Sequence, residues 1–319
     1  MDRQFFLGVE EKEQFVRMMR KVEAFTGVRV LTFCVMDNHF HLLLEVPERE
    51  ELSDEEFVQR IRGFYSGRVG GITRREVEWK LETWRAQGMD DAVEELKERF
   101  VSRMYDLSEF MKALKQRFTQ WFNKRRMRQG TLWESRFKSV LVGGSWEAVM
   151  AVAAYIDLNP VRASMVEDPK DYRWSGYGQA SRGKKAARRA IAAILEAQGE
   201  SGHWTHVATE YRRLLYGVGE KEIRDEDTGG ILKRGLDPRS VRRVLKSGGK
   251  LSPAQFLRCR VRYFADGYVL GTRDFVDGYF ERNRTHFGPN RESGARKLQG
   301  SRWRDLFSLR DLKTEVMRL

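Results

Sequence analysis

The sequence predicts an α+β protein in which an antiparallel sheet carries helices on one face and a helical, basic domain follows. Residues 9–25 place apolar side chains at helical spacing, which indicates an amphipathic helix. Residues 28–36 are rich in β-branched and aromatic types, and residues 39–46 are again mainly apolar after the polar pair Asp37 and Asn38. A short polar turn between two such runs predicts a β-hairpin.

Helical patterns dominate the chain after this hairpin. Residues 48–107 are highly charged and contain helical segments, so we interpret them as a helical insertion. Residues 108–128 carry an apolar stripe that predicts one long amphipathic helix. After a turn, residues 130–142 have the pattern of a strand. Ser145 is then placed to cap a helix that Pro160 should end.

The length of the chain predicts more than one domain, because 319 residues exceed the roughly 100 to 150 residues of a typical domain. We expect a first domain at residues 1–178. Residues 179–202 are small, basic and alanine-rich, which indicates a basic helical linker. Residues 203–319 are expected to form a helical, basic C-terminal domain.

The charge balance favours a polyanionic partner. Lys and Arg number 59 against 46 Asp and Glu, which gives a net charge of +13. Nucleic acid or a membrane surface would attract such a chain, although basic residues can also serve solubility alone. Only two cysteines occur, Cys34 and Cys259, so neither a disulfide framework nor a cysteine zinc site is expected. With no signal peptide or membrane span in the pattern, we expect a soluble cytoplasmic protein.

Two histidines stand one residue apart at the start of the second predicted strand. His39 and His41 would share one face of that strand, because successive side chains alternate between faces. Two imidazoles on one face suit a divalent metal. The pair alone is weak support for a metal site, since paired strand histidines are often structural or surface residues.

A tyrosine and an asparagine share one face of the helix before Pro160. Tyr155 and Asn159 are four residues apart and therefore lie on neighbouring turns. They could border an active site. The structural alternative is a packing tyrosine and an asparagine that caps the helix end.

A third feature is strongly basic. Residues 112–128 contain seven Lys or Arg and no acidic residue, which predicts a cationic helix face for single-stranded nucleic acid or else a solvated surface. The candidate DNA-binding residues of this stretch and the segment after it are Lys115, Arg117, Lys124, Arg125, Arg126, Trp133, Arg136 and Lys138.

Taken together, four motifs resemble one family. They are HFH after the Asp-Asn turn, WFNKRRMRQGTLWESRFKSVLV, YIDLNPVRASMV and DYRWSGYG. In this order they resemble the REP-associated tyrosine transposases, members of the HUH superfamily of single-tyrosine DNA transposases and nucleases. The resemblance covers about residues 1–178.

The resemblance implies a ferredoxin-like antiparallel sheet with helices on one face and a defined chemistry. His39 and His41 would bind Mg²⁺ or Mn²⁺ with Asn159 as the third ligand, and Tyr155 would be the nucleophile that forms a 5′-phosphotyrosine link. The partner would be single-stranded or hairpin DNA, and we expect a nucleoid-associated protein that is a monomer rather than a homodimer. Arg136 and Lys138 would hold flanking phosphates, and Trp121, Trp133 or Trp174 would stack unpaired bases.

Two features depart from the family pattern. Family members usually begin with a further strand before the sequence that matches residues 2–6 of this chain, so we expect the first strand of the sheet to be missing. Shorter members lack the tail after about residue 180, and residues 272–284 follow a helical pattern compatible with a helix-turn-helix. Two rival functions stay open: a nucleic-acid-binding regulator that has lost catalysis, and a metal-dependent hydrolase that uses water as its nucleophile.

Overall fold

The computed structural model describes residues 7–196, 203–216, 223–224, 231–233, 268–297 and 306–309. The chain divides into two compact units. The first unit consists of Met1–Val30, Val35–Phe40 and Leu44–Phe137, and the second of Leu31–Cys34, His41–Leu43 and Lys138–Leu319. The division therefore falls after Phe137 and within the hairpin, and not at the predicted boundary at residue 178.

The first helix and the hairpin form where the sequence predicts them. The elements are α1 (Val9–Thr26), β1 (Arg29–Val35) and β2 (Phe40–Glu45). Gly27 ends α1 with φ of 73°, a left-handed conformation that glycine adopts without steric cost. The two strands pair in a two-stranded sheet. Between them, Met36 N donates to His39 O at 2.8 Å and closes the turn.

The helices predicted within residues 48–107 and the long helix after them are confirmed, whereas their status as an insertion stays a prediction. They are α2 (Asp54–Phe64), α3 (Gly67–Ala86), α4 (Asp90–Val101) and α5 (Leu107–Arg125). Ser53 and Glu56 start α2 with reciprocal hydrogen bonds, a capping box. Phe25 of α1 stacks on Phe64 of α2 with ring centroids 4.1 Å apart. Packing of α1 against both α2 and α5 makes α1 the centre of the first unit.

The second unit begins with a short strand and a capped helix. From residue 141 to residue 216 its elements are β3 (Leu141–Val142), α6 (Trp146–Asp157), α7 (Asn159–Arg162), α8 (Gly176–Ser181), α9 (Lys185–Glu196) and α10 (Trp204–Tyr216). Ser145 accepts a hydrogen bond from Ala148 N and caps α6 as predicted. The helix ends at Asp157, three residues before Pro160, also as predicted. The strand predicted over residues 130–142 is corrected to Leu141–Val142, because β3 is the one strand that the structure describes in that stretch.

A fully buried carboxylate joins four elements of the second unit. Asp157, at the end of α6, has no exposed surface. Its Oδ2 accepts hydrogen bonds from the Thr32 hydroxyl of β1 at 2.9 Å and the Tyr211 hydroxyl of α10 at 2.6 Å. Its Oδ1 accepts from Tyr177 N of α8 at 3.0 Å. Three donors on three elements therefore satisfy one carboxylate that burial alone would disfavour.

The close approach of α8 to β1 depends on a glycine. A Cβ atom added at Gly176 would lie 2.2 Å from the Thr32 hydroxyl oxygen. Glycine alone fits this position without displacing Thr32 from Asp157. The neighbouring Ser175 forms an isolated antiparallel bridge with Cys34.

The predicted linker at residues 179–202 is corrected to part of the core. In its described portion α9 buries Ala187, Ile191, Ile194 and Leu195, each at most 3% exposed. The helix packs against α6, α8 and α10. The alanine-rich composition reflects close helix packing, because small side chains let helices approach one another.

The tail is mixed α/β in its described residues, which corrects the prediction of a helical domain. Its remaining elements are β4 (Ile223–Arg224), β5 (Ile231–Lys233), β6 (Val269–Gly271), α11 (Arg273–Arg282), β7 (Arg296–Lys297) and β8 (Phe307–Leu309). A four-stranded sheet has the order β3-β6-β8-β7, with β3 parallel to β6 and the other pairs antiparallel.

Of the predicted helix-turn-helix, the described residues contain the second helix, α11, and the motif as a whole stays a prediction. The segment before α11 is strand β6, and the chain after it passes through a 3₁₀ turn at Arg284–His286. Val276 and Phe280 of α11 pack in a core with Val269 and Leu309 of the sheet. The apolar spacing therefore serves a helix packed on a sheet. The helical segment predicted at residues 252–267 lies outside the described residues.

The α+β class is confirmed, whereas the ferredoxin-like arrangement and the missing first strand stay predictions. Among the described residues, β1 and β2 form a sheet of two strands. No helix in the described ranges combines the length and the apolar character needed to cross a membrane.

The titration of Asp157 gives a test of the buried junction. Burial raises the pKa of Asp157 to about 6, above the roughly 3.9 of an unfolded chain. The carboxyl therefore stabilises the fold most when it is protonated, and this contribution is lost as pH rises through the folded pKa. Relative to Asp157→Asn, we expect the unfolding free energy of the wild type to fall by about 2 kcal/mol between about pH 4 and pH 7.

Urea unfolding of both proteins, followed by tryptophan fluorescence across this pH range, measures the difference. The asparagine oxygen can still accept from the Thr32 and Tyr211 hydroxyls, whereas its NH2 group faces Tyr177 N and loses that hydrogen bond. This loss does not vary with pH, so the pH dependence of the difference still reports the carboxyl. A difference in unfolding free energy that stays constant with pH, or that grows in favour of the wild type as pH rises, would contradict the raised pKa of Asp157.

Candidate functional site

The structure brings two of the predicted site residues together. The rings of His41 on β2 and Tyr155 on α6 lie with their centroids 5.7 Å apart in an edge-to-face arrangement. Tyr155 is 4% exposed, and His41 is half-buried. Both residues belong to the second unit. This contact is compatible with the site that the family resemblance implies, and the roles of both residues stay predictions.

The burial of β2 explains why His41 faces a packed surface. Leu43 is the most buried residue of the strand at 6% exposed. Leu43 lies on the same side of the strand as His41, because residues two positions apart in a strand share a side. Phe40 points to the other side, where its ring lies 4.6 Å from the ring of Phe15. Both sides of the strand are therefore partly covered.

Asn159 caps the end of α6, where Pro160 interrupts the helical hydrogen bonds. Proline has no N–H, so the carbonyl of Ile156 loses its usual donor four residues later. The Asn159 side-chain amide donates to Tyr155 O at 3.2 Å and to Ile156 O at 3.3 Å. This is the capping role that the sequence left open. It also fixes the amide orientation, because carbonyl groups only accept, and it turns Oδ1 away from the helix backbone.

His39 lies at the exposed start of β2. Its Nδ1 is 2.6 Å from the Asn38 side-chain oxygen. An amide oxygen can only accept, so this contact is a hydrogen bond in the neutral Nδ1–H tautomer, in which the lone pair lies on Nε2. A carbonyl that fixes the tautomer of one nitrogen while the other takes a metal is the usual outer support of a metal-binding histidine.

The donor set fits a divalent metal in type. Among the described residues, no group of three or more His, Cys, Asp and Glu is placed to hold a metal ion. The predicted set of His39, His41 and Asn159 contains two imidazoles and one amide, so it does not belong to that class of groups. Imidazole nitrogen and amide oxygen are both ligands of first-row divalent metals. The orientation of the Asn159 oxygen is compatible with the same role.

The sequence interpretation missed Arg162. Its guanidinium carbon lies 4.3 Å from the centroid of the Tyr155 ring, and its Nη2 donates to Tyr155 O at 2.6 Å. The signal was present in the helix spacing, since Asn159 and Arg162 follow Tyr155 by four and seven residues. Those intervals place all three on one helical face.

Three of the predicted DNA-binding arginines are engaged within the first unit. Arg125 and Arg126 form ion pairs with Glu10 at 2.7 Å and with the buried Glu11 at 2.5 Å. The Arg117 guanidinium lies 3.6 Å from the centroid of the Phe64 ring, and burial lowers its pKa. These contacts fasten α5 to α1 and α2, so all three arginines have a structural role.

Lys115 and Trp133 also pack against the protein. Lys115 Nζ donates to Ser135 O at 2.9 Å and lies 5.4 Å from the Trp133 ring centroid. Burial lowers the pKa of Lys115. The Trp133 indole N–H donates to Thr119 Oγ1 at 3.0 Å, and its ring lies 5.5 Å from Phe40. Trp133 is thus part of an aromatic cluster.

The remaining predicted DNA-binding residues are at the surface. Lys124, Arg136 and Lys138 are exposed. Arg136 and Lys138 belong to an irregular segment that the sequence had assigned to a strand. Exposed cations on a loop can meet a polyanion without first breaking an ion pair or leaving a core.

The comparisons with known proteins concern the first part of the chain. The family model described as Transposase IS200 like matches residues 1–87, a range that includes His39 and His41 and ends before Tyr155. No curated protein and no solved structure matches the chain. The match over residues 1–87 agrees with the family that the motifs predicted, and this segment is similar to the IS200-like transposases.

Proposed function

We propose that the protein is a metal-dependent transposase that cleaves and rejoins single-stranded DNA through Tyr155, at hairpin-forming repeats. The single observation that carries the proposal is the edge-to-face contact between Tyr155 and His41. It joins a residue of the matched family domain to the proposed nucleophile. The family match supports a DNA substrate and DNA processing.

The proposed reaction exchanges one phosphodiester for another. The Tyr155 oxygen attacks the phosphorus and loses its proton, the bond from phosphorus to the 3′ oxygen breaks, and that oxygen leaves as a 3′-hydroxyl. The 5′ end of the DNA is then held as a phosphotyrosine. Attack by a 3′-hydroxyl on this link restores a DNA strand and releases the tyrosine, so no external energy source is needed.

The proposed metal would be Mg²⁺ or Mn²⁺ held by His39, His41 and Asn159. Bound there, it would polarise the scissile phosphate and offset the charge that develops during transfer. All three ligands are neutral, so DNA phosphate is the one source of negative charge in the proposed set. Imidazole ligands favour later transition metals, whereas Mg²⁺ prefers carboxylates and water. We therefore expect Mn²⁺ to act at lower concentration than Mg²⁺.

A second candidate is a DNA-binding regulator without catalysis. The observation that favours it is Asn159, whose side-chain NH2 group caps the helix end beside Pro160 and so has a structural role that needs no metal. Tyr155 is likewise well packed. Detection of a covalent product distinguishes the two candidates.

Substitution of the nucleophile is the first test of the proposed reaction. Tyr155→Phe keeps the ring and its contacts with His41 and Arg162 and removes the attacking oxygen. We expect the variant to bind labelled hairpin DNA with unchanged affinity and to form no denaturation-resistant adduct with Mn²⁺. A matched control is Tyr279→Phe, a change on α11 in the packed β-sheet region. An adduct that persists in Tyr155→Phe would refute the nucleophile. Cleavage without any adduct would indicate a hydrolase.

Removal of an imidazole tests the metal ligands. We expect His41→Ala to raise the Mn²⁺ concentration for half-maximal cleavage by at least ~10-fold, the loss seen even for outer-shell partners of metal ligands. A chelator should abolish wild-type cleavage. His203→Ala is the control, since His203 is an exposed histidine beside α10. Equal metal dependence in His41→Ala and the wild type would exclude His41 as a ligand.

The salt dependence of DNA binding tests which cations contact phosphate. We expect Arg136→Gln to reduce the slope of log affinity against log salt by about 1, because one phosphate contact is lost. Arg117→Gln should leave the slope unchanged and lower stability, because this guanidinium packs on Phe64. Titration by fluorescence anisotropy at several salt concentrations measures both. A reduced slope in Arg117→Gln together with an unchanged slope in Arg136→Gln would indicate that Arg117, and not Arg136, contacts a DNA phosphate.

A further inference from the structure

We infer that Arg162 is a positioning residue for Tyr155, which it holds by its ring and by its backbone at the same time. The inference rests on the proposed function, because it concerns how the proposed nucleophile is aimed. Neither the motif match nor the metal-ligand set assigns a role to Arg162.

The first contact is with the ring. The Arg162 guanidinium carbon lies 4.3 Å from the Tyr155 ring centroid, well within the range of a cation–π interaction. The Tyr155 ring is also in contact with β2, through the edge-to-face arrangement with His41 at 5.7 Å. One ring therefore has an imidazole from a strand and a guanidinium from a helix against it.

The second contact is with the backbone of the same residue. Arg162 Nη2 donates to Tyr155 O at 2.6 Å, the carbonyl to which the Asn159 amide also donates. This carbonyl belongs to the last turn of α6, where helical donors run out. The charged donor satisfies it and fixes the guanidinium relative to the ring above it.

The local backbone explains why Arg162 can reach. The short helix α7 is a single turn that contains Pro160, and Arg162 N donates to Leu158 O at 3.0 Å. That turn returns the side chain toward the residue seven positions earlier. A planar guanidinium can stack and donate together, whereas a lysine ammonium supplies charge without a plane.

Restraint of the ring has a consequence for chemistry. The Tyr155 oxygen lies at the far end of the ring, so a swing of the side chain about its Cα–Cβ bond moves the oxygen away from a bound phosphate. Misplacement of a reacting group by about 1 Å can cost on the order of 10²-fold in rate. Loss of Arg162 should therefore lower the rate of adduct formation and leave DNA affinity unchanged.

The experiment compares full-length variants with the wild type. Arg162→Met keeps the length of the side chain and removes the charge and the donors, and Arg162→Lys restores the charge. Arg182→Met is the matched control, because Arg182 donates to backbone carbonyls of Lys170 and Asp171 in the same unit. Single-turnover adduct formation with saturating hairpin DNA and Mn²⁺ gives the rate, anisotropy gives the affinity, and thermal melting reports folding.

We expect Arg162→Met to form the adduct about 10- to 100-fold more slowly with the wild-type affinity. Arg162→Lys should recover part of the rate, and methylguanidinium added to Arg162→Ala should accelerate it, neither of which a purely structural role would produce. Arg182→Met should match the wild-type rate.

Two results would overturn the inference while the proposed function stands. They are an adduct rate in Arg162→Met equal to that of the wild type, and a fall in rate that an equal fall in DNA affinity explains. Absence of any adduct with the wild-type protein would instead refute the proposed function, and the inference with it.

Discussion

The architecture of the second unit depends on one buried carboxylate. Asp157 accepts hydrogen bonds from β1, α8 and α10 with no exposure to solvent. Burial of a carboxylate costs folding free energy unless its oxygens accept hydrogen bonds. Removal of the donors would leave an uncompensated buried charge. Burial raises the pKa of Asp157 to about 6. Burial and the adjacent Asp157 also raise the pKa of Tyr211, which keeps that hydroxyl protonated and donating.

The position of Asp157 in the chain links this junction to the candidate site. It lies between Tyr155 and Asn159 at the end of α6, so a helix end that is tied to three other elements carries the proposed nucleophile. Pro160 then removes a donor, Asn159 and Arg162 supply others, and both converge on the carbonyl of Tyr155. A helix terminus fixed in this way can present a side chain with little freedom, which is what a positioned nucleophile needs.

Local signals made much of the fold predictable, and long-range contacts made the rest unpredictable. Gly27 and Ser145 are stop and start signals that the structure confirms. Strands of two or three residues carry too little pattern to recognise, which is why the tail was taken as helical. Arg125 and Arg126 looked available because their partners on α1 are more than a hundred residues away in sequence. The pairing of His41 with Tyr155 came from the family resemblance, and no spacing rule could have placed a strand beside that helix.

The central claim is that Tyr155 becomes covalently linked to DNA, and mapping the adduct tests it most directly. The wild-type protein is incubated with single-stranded hairpin DNA and Mn²⁺, digested with protease and nuclease, and analysed by mass spectrometry. The account predicts a nucleotide-modified peptide that contains Tyr155 and no modification on the other nine of the ten tyrosines. A modified peptide from another tyrosine, or cleaved DNA with no modified peptide, would contradict it.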